Sequence, residues 1–142
     1  MAEIKKLKLV MIVDDNEIDR YIAKRVILKN NFAEKVLEMD SAMTAIDYFK
    51  KINISEDNLP DLIFLDIRMP AMDGFEFLKE YEKLDESIRN KCIIMMLSTS
   101  LHPNDLSRAN SNPFVKKFLN KPLNQAALNL LGKTENENTE TT

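Results

Sequence analysis

Three aspartates of the chain stand directly after short apolar runs. Asp14 and Asp15 follow the run at residues 9–13, and Asp66 follows the run at residues 62–65. Carboxylates that lie close together repel one another, and each raises the pKa of its neighbours unless positive charge lies among them. A hard divalent cation such as Mg²⁺ or a lysine side chain can provide that charge. The three aspartates therefore predict a cation-dependent site, if the fold brings them together.

Further polar side chains follow two other apolar runs of the same kind. The hydroxyl residues 98–100 come after one of them, and Lys121 comes after the last. A phosphoryl-transfer site needs a nucleophile, a charge that neutralises the phosphoryl oxygens and hydrogen-bond donors for the remaining oxygens. A carboxylate can be that nucleophile and form an aspartyl phosphate. Asp66 is the best-placed candidate, because it is the lone acid at the end of a central predicted strand.

The elements that must position these residues can be read from the pattern of apolar side chains. Apolar runs typical of buried strands occur at residues 9–13, 35–39, 62–65, 93–97 and 115–119. Segments of helical periodicity alternate with them, at residues 17–29, 42–49, 75–81, 103–110 and 123–131. This alternation predicts an α/β fold, with a doubly wound five-stranded parallel sheet between two layers of helices. The expected strand order is 2-1-3-4-5, the flavodoxin-like (βα)5 arrangement.

That strand order decides where the candidate residues lie relative to one another. In an open parallel sheet, sites form beyond the carboxyl ends of the strands, at the point where the strand order reverses. This point lies between the first strand, which ends at Asp14 and Asp15, and the third strand, which ends at Asp66. The topology therefore predicts that the three carboxylates meet, with Lys121 at the same edge of the sheet.

Composition and charge narrow the classes of function. A chain of 142 residues fits one domain, and a net charge of −3 argues against nucleic-acid binding. A single cysteine cannot form an intramolecular disulfide or a cysteine-rich zinc site. No apolar run approaches the length of a secretory signal or a membrane span, so a cytoplasmic protein is expected. The two glycines, Gly74 and Gly132, cannot form a nucleotide-binding loop, so a phosphoprotein or an acyl phosphate is the expected donor.

Four segments of the sequence resemble the signature segments of response-regulator receivers of two-component signalling, in the order and spacing of that family. They are Val13-Asp14-Asp15-Asn16, Leu65-Asp66-Ile67-Arg68-Met69-Pro70-Ala71-Met72-Asp73-Gly74, Leu97-Ser98-Thr99-Ser100 and Asn120-Lys121-Pro122. The resemblance is to the stand-alone, chemotaxis-type receivers and implies a receiver domain at residues 1–132. Residues 133–142 contain no apolar residue and are predicted to form a disordered acidic tail.

The resemblance implies a role for each acid of the site. Asp66 looks like the phosphoacceptor. Asp15 looks like a direct ligand of Mg²⁺, or of Mn²⁺ in its place, with Asp14 helping directly or through water. Asp66 itself and the backbone carbonyl of Arg68 would complete the protein ligands of the ion.

The resemblance also implies a switch. Lys121 would pair with the phosphoryl oxygens, and the hydroxyl of Ser98 would bind the phosphoryl group and pull the following loop inward. Thr99 is the alternative for that hydroxyl, because the run of hydroxyl residues leaves the register open. Phe118 stands where the family has an aromatic residue that changes rotamer on activation.

The implied partners are proteins. The donor would be a sensor histidine kinase or a histidine phosphotransfer protein, and a downstream protein would read the phosphorylated state. Nucleic acid and membranes are not expected as partners, and the chain is expected to be a monomer or a weak homodimer. Because no output domain fits in the chain, phosphorylation of Asp66 is expected to switch a protein-interaction surface. The alternative is a phosphorelay intermediate that passes the phosphoryl group to a histidine phosphotransfer protein.

Two other functions would also use an aspartate at a strand end or a fold of this kind. Phosphatases of the haloacid dehalogenase type also place an aspartate at a strand end, but they carry a second aspartate two residues later, where this chain has Arg68. An unphosphorylated pseudo-receiver would have no need of the acids and the lysine. The sequence therefore predicts a phosphoacceptor switch that is not an enzyme beyond its own phosphorylation and dephosphorylation.

Overall fold

The fold was determined as a computed structural model, which describes residues 6–53, 58–99 and 102–131. Its strands are β1 Leu7–Val13, β2 Ala33–Met39, β3 Leu62–Asp66, β4 Ile93–Ser98 and β5 Val115–Asn120. Its helices are α1 Glu17–Lys29, α2 Ala42–Lys51, α3 Gly74–Tyr81, α4 Glu86–Lys91, α5 Pro103–Ser111 and α6 at residues 125–131. The alternation predicted from the apolar runs is therefore present along the chain.

The five strands form one parallel sheet in the order β2-β1-β3-β4-β5. This confirms the predicted doubly wound topology. Val13 pairs with Leu65 across β1 and β3, and Asp66 pairs with Leu97 across β3 and β4. The carboxyl ends of the three central strands are thus level, so the residues that follow them share one edge of the sheet.

Alternate residues of the central strands pack on opposite faces of the sheet, because side chains of a strand alternate in direction. On one face, Met11, Val13, Ile63 and Leu65 pack in a core with buried residues of α2, α3 and α5. On the other face, Val10, Ile12, Leu62 and Phe64 pack with buried residues of α1 and α6. Burial on both faces explains why these strands appear in the sequence as continuous apolar runs.

One helix was missed by the sequence pattern. α4 at Glu86–Lys91 has six residues and buries one of them, Ile88. A helix this short does not complete the repeating apolar spacing by which the other helices were recognised. Its N-cap is Asp85, whose side chain accepts a hydrogen bond from the backbone N–H of Ser87. The helix carries the chain from α3 to the start of β4.

Some predictions lie outside the described residues. These are the acidic tail at 133–142, Ser100 of the hydroxyl run, and residues 1–5 and 132 of the receiver domain predicted at 1–132. Among the helices of the described residues, none is both long enough and apolar enough to cross a membrane.

Candidate functional site

The candidate site lies at the carboxyl edge of the sheet, and four of its side chains come from different strands. Asp14 follows β1, Asp66 ends β3, Ser98 ends β4 and Lys121 follows β5. Asp14, Asp66 and Ser98 are almost fully buried, with exposed fractions of 3%, 5% and 2%. Charged and polar groups are rarely buried to this degree without partners. Buried polar side chains are therefore grouped at this edge of the sheet.

The turn after β1 is held by the residues that begin α1. Asn16 is the N-cap of that helix and accepts a hydrogen bond from the backbone N–H of Asp19 at 2.9 Å. The Asp14 carboxylate accepts from the backbone N–H of Asn16, also at 2.9 Å. Arg20 donates to the backbone carbonyl of Asp14 at 2.9 Å. These bonds fix the Asp14 carboxylate beside the end of β3.

The three aspartates predicted to meet do so. Carboxylate oxygens of Asp14, Asp15 and Asp66 lie within 4.8 Å of one another, and Asp15 is the exposed member of the group. Burial, followed by the negative charge of Asp14, raises the pKa of Asp66 to about 6, although Lys121 acts in the opposite direction. A carboxyl in such surroundings gains from a cation beside it.

Lys121 is the cation that the fold provides. Its Nζ lies 2.6 Å from Asp14 Oδ2, 3.0 Å from Asp19 Oδ2 and 3.2 Å from Asp66 Oδ1, and its side chain is 8% exposed. Burial tends to lower the pKa of this lysine, but hydrogen bonds to Asp14 and Asp19 and the charge of Asp66 outweigh it and raise the pKa above its usual value. The backbone N–H of Lys121 donates to the Ser98 carbonyl at 2.8 Å, and the peptide bond from Lys121 to Pro122 is cis. Lys121 therefore stands charged among three carboxylates.

The loop between β3 and α3 forms the other side of the site. The guanidinium of Arg68 is ion-paired with Asp105 of α5, and that carboxylate is buried. At the end of the loop, Gly74 packs so closely that a Cβ atom there would lie 2.6 Å from the backbone oxygen of Asp66. The Gly74 N–H donates to the carbonyl of Ile67 at 2.9 Å. The loop is thereby tied both to the end of β3 and to α5.

The two residues proposed for a switch lie on neighbouring strands. Ser98 is buried at the end of β4, whereas Thr99 directly after it is exposed. Phe118 of β5 pairs with Met96 of β4 and is partly buried against the core that β1 and β3 share with α2, α3 and α5. The choice between Ser98 and Thr99 as the switch hydroxyl, and the switching role itself, stay predictions.

Two acids that contact the site were not singled out from the sequence. Asp19 lies in the first turn of α1 and Asp105 in the first turn of α5. Acids are common in first helical turns, where they interact favourably with the helix dipole, so the sequence offered an ordinary explanation for both. Their ion pairs with Lys121 and Arg68 span 102 and 37 residues of sequence. No local spacing could have indicated them.

The acidic cluster has the chemistry that a hard divalent cation requires. Its donors are carboxylate oxygens, which such ions prefer. Asp15 is exposed and the other two members are buried, so one side of the cluster is open to water that could complete a coordination shell. Asp14, Asp19 and Asp66 surround the ammonium group of Lys121, and the Asp15 carboxylate lies beside those of Asp14 and Asp66. The cluster therefore keeps an excess of negative charge that a cation can balance.

Comparison with known sequences agrees with this geometry. A family model described as the response regulator receiver domain matches residues 10–131. The probable methanogenesis regulatory protein FilR2 of Methanothrix harundinacea is 30% identical over 116 residues, which cover 81% of this chain and 72% of that protein. The histidine kinase CKI1 of Arabidopsis thaliana is 33% identical over 132 residues, and the match covers 88% of this chain but 12% of CKI1. Similar segments thus occur in proteins of very different length.

Comparison with solved structures leads to the same family. The two-component response regulator from Cytophaga hutchinsonii is similar with a TM-score of 0.83 and 28% sequence identity, over 92% of this chain and 97% of that one. The family match begins within β1, includes all of β2 to β5, and contains the residues Asp14, Asp15, Asp66 and Lys121. The chain belongs to the response regulator receiver domain family.

Proposed function

We propose that this receiver domain accepts a phosphoryl group on Asp66 and that a bound Mg²⁺ ion, or Mn²⁺ in its place, is needed for the transfer. The observation that carries the proposal is the meeting of the Asp14, Asp15 and Asp66 carboxylates, with the buried ammonium of Lys121 in contact with Asp14 and Asp66. When bound, the divalent cation would neutralise oxygens of the transferred group. Asp14, Asp15, Asp66 and the backbone carbonyl of Arg68 are the proposed protein ligands.

The proposed reaction needs a nucleophile that keeps its negative charge. Burial and Asp14 raise the pKa of Asp66 to about 6, and Lys121 limits that rise. Near neutral pH the Asp66 carboxylate is therefore mostly ionised. One of its oxygens attacks the phosphorus atom of a phosphohistidine or an acyl phosphate. As the new phosphorus–oxygen bond forms, the bond from phosphorus to the leaving group breaks, and the leaving group departs with that electron pair.

Lys121 and Ser98 are proposed to hold the product. The Lys121 Nζ already lies 3.2 Å from Asp66 Oδ1, so it is within reach of oxygens that become attached to that carboxylate. Ser98 ends β4, the strand that pairs with the end of β3, and its hydroxyl belongs to a buried side chain. We propose that Ser98 binds a phosphoryl oxygen and that Phe118, on the next strand, changes rotamer when it does so. A phosphorylated surface formed in this way would be read by a downstream protein.

The proposed donor is a histidine kinase or a histidine phosphotransfer protein, as the family membership implies. Arg68, two residues after Asp66, is paired with Asp105 and is not an acid that could protonate a leaving group in repeated turnover. This supports a phosphoacceptor over a haloacid dehalogenase-type phosphatase. A phosphorelay intermediate remains the alternative, and it would use the same site to return the phosphoryl group to a histidine.

The proposal is tested by incubating the protein with acetyl phosphate and Mg²⁺ and measuring its intact mass. We expect an adduct of one phosphoryl group that is absent in Asp66→Asn and absent when a chelator removes the metal. Asp40→Asn is the matched control, because Asp40 follows β2 at the same edge of the sheet but β1 separates it from β3. An adduct that persists in Asp66→Asn would contradict the proposal, as would rapid release of phosphate over many turnovers.

A further inference from the structure

Lys121 has three carboxylate partners, and the proposed reaction gives two of them a new bonding partner. Asp14 becomes a ligand of the cation, and Asp66 becomes the phosphorylated residue. Asp19, the third partner, lies 3.0 Å from Lys121 Nζ and takes part in neither event. It is therefore the one carboxylate beside the ammonium that stays the same throughout the reaction.

Each N–H donor of the Lys121 ammonium can be assigned to one carboxylate partner. An ammonium group has three N–H donors. Asp14, Asp19 and Asp66 each lie within 3.2 Å of Nζ, and the lysine side chain is 8% exposed. When the cation and the phosphoryl group engage Asp14 and Asp66, two of these contacts must weaken or change. Without a fixed third partner, the long and flexible lysine side chain would lose its position at the moment when it is needed.

Asp19 is itself held firmly enough to serve as that fixed partner. It lies in the first turn of α1, and its backbone N–H donates to the side chain of the N-cap residue Asn16 at 2.9 Å. Two residues of α1, Ala23 and Ile27, are buried in the core that includes β1 and β3. A helix anchored on the sheet thus carries the Asp19 carboxylate to Lys121, across 102 residues of sequence.

We propose that Asp19 is a positioning residue that holds the Lys121 ammonium beside Asp66 while the cation and the phosphoryl group take its other two partners. The proposal rests on the proposed function for its role in phosphorylation. The ion pair between Asp19 and Lys121 exists without metal and without a phosphoryl donor. Its effect on Lys121 can therefore be measured separately from the reaction.

The first test uses metal-free protein and a small amine-acylating reagent. The rate of acylation of Lys121 is followed by mass mapping of peptides, with the half-exposed Lys24 as an internal reference. Asp19→Ala is expected to raise the acylation rate of Lys121 several-fold relative to Lys24, because the ammonium loses a fixed partner. Glu17→Ala is the matched control, since Glu17 is an exposed acid in the same helical turn. It should leave the rate unchanged.

The second test measures phosphorylation from acetyl phosphate with Mg²⁺ over a range of donor concentrations. Asp19→Ala is expected to lower the maximal rate about tenfold, which corresponds to ~1.4 kcal/mol, and to change the half-saturating donor concentration little. Asp19→Asn, which keeps an oxygen acceptor, and Asp19→Glu, which keeps the charge, should each restore part of the rate. Glu17→Ala should behave as the wild type does.

The outcomes separate the two proposals. If Asp19→Ala matches Glu17→Ala in both tests, or if both variants are slowed equally by loss of negative charge, the positioning role is wrong. If wild-type protein forms no adduct at all, the proposed function fails, and the acylation test still decides whether Asp19 holds Lys121. Thermal unfolding of each variant shows whether it is folded, and Asp19→Asn gives the same comparison if Asp19→Ala is not.

Discussion

Two groups of charged side chains lie near Asp66, one at Lys121 (the lysine side) and one in the loop that follows Asp66 (the arginine side), and they are built in opposite ways. On the lysine side, the cation is buried: the Lys121 side chain is 8% exposed and lies among Asp14, Asp19 and Asp66. On the arginine side, the carboxylate is buried: the Asp105 side chain is 6% exposed, whereas that of Arg68 is 68% exposed. One side thus has more acids than cations, and the other has a balanced pair.

This difference indicates different tasks. Buried charges interact strongly because little water screens them, and an excess of one sign attracts an ion of the other. The lysine side is therefore suited to receive a cation, and that cation would neutralise oxygens of an incoming phosphoryl group. The arginine side joins the loop after β3 to α5 through the pair of the exposed Arg68 guanidinium and the buried Asp105 carboxylate. Its contribution is to hold the loop, and the cost of breaking it should be smaller and more sensitive to salt.

The largest effect is expected for Lys121→Met in metal-free protein. This change leaves Asp14 and Asp66 buried without their cation, which should lower the free energy of unfolding by about 3 kcal/mol. Mg²⁺ should restore part of the loss, because it binds the folded state and balances the same carboxylates. Urea unfolding with and without Mg²⁺ measures both. Lys24→Met is the control, since Lys24 pairs with Glu38 at the surface. If Mg²⁺ does not reduce this loss of unfolding free energy, the lysine side does not have the excess of acids that a cation can balance.

The next largest effect is expected for Gly74→Ala at the first residue of α3, where the loop on the arginine side ends. The new Cβ would lie 2.6 Å from the backbone oxygen of Asp66 and 3.0 Å from Ile67 Cα, and neither backbone atom can move without distorting the end of β3. We expect a loss of about 2 kcal/mol in the free energy of unfolding. Urea unfolding measures it, with the exposed Lys79→Ala in the same helix as the control. An unchanged midpoint would show that the loop can shift, and that it does not hold Asp66 in place.

A smaller effect is expected for Arg68→Ala, which removes the guanidinium from Asp105. We expect the free energy of unfolding to fall by about 1 kcal/mol, because the buried carboxylate loses a charged partner. The backbone carbonyl of residue 68 remains, so the phosphoryl adduct formed with acetyl phosphate should still appear. Urea unfolding and intact mass test the two statements. Loss of the adduct in this variant would mean that the guanidinium takes part in the chemistry, and the arginine side would then do more than hold the loop.

The smallest effect is a salt dependence that separates the two sides. Raising NaCl from about 0.1 M to about 1 M shortens the Debye length from about 10 Å to about 3 Å. The effect of Arg68→Ala on unfolding should therefore shrink by a few tenths of a kcal/mol, because its guanidinium is exposed. The effect of Lys121→Met should change less, because its partners are buried. Equal salt dependence in both variants would contradict the assignment of one side as buried and the other as exposed.

The sequence allowed the sheet and the strand ends that carry Asp14 and Asp66 to be predicted because both depend on local patterns. A strand buried on both faces must be apolar throughout, so β1 and β3 were visible as runs that end at Asp14 and Asp66. Once the alternation of strands and helices was recognised, the strand order followed from general rules of connection. The short helix α4 has no such pattern, since it buries only Ile88, and it was missed.

The order of the elements, and the edge of the sheet where Asp14, Asp15, Asp66 and Lys121 lie, follow from the amino-acid sequence alone. The pairing of each neighbouring acid with a particular cation follows only from the packing of the folded chain. Asp19 reaches Lys121 because α1 packs on the sheet with one particular rotation, and Asp105 reaches Arg68 because α5 lies against the loop after β3. Such contacts depend on the packing of helices. That packing is determined jointly by many residues that are far apart in the chain. No spacing within either segment carries that information.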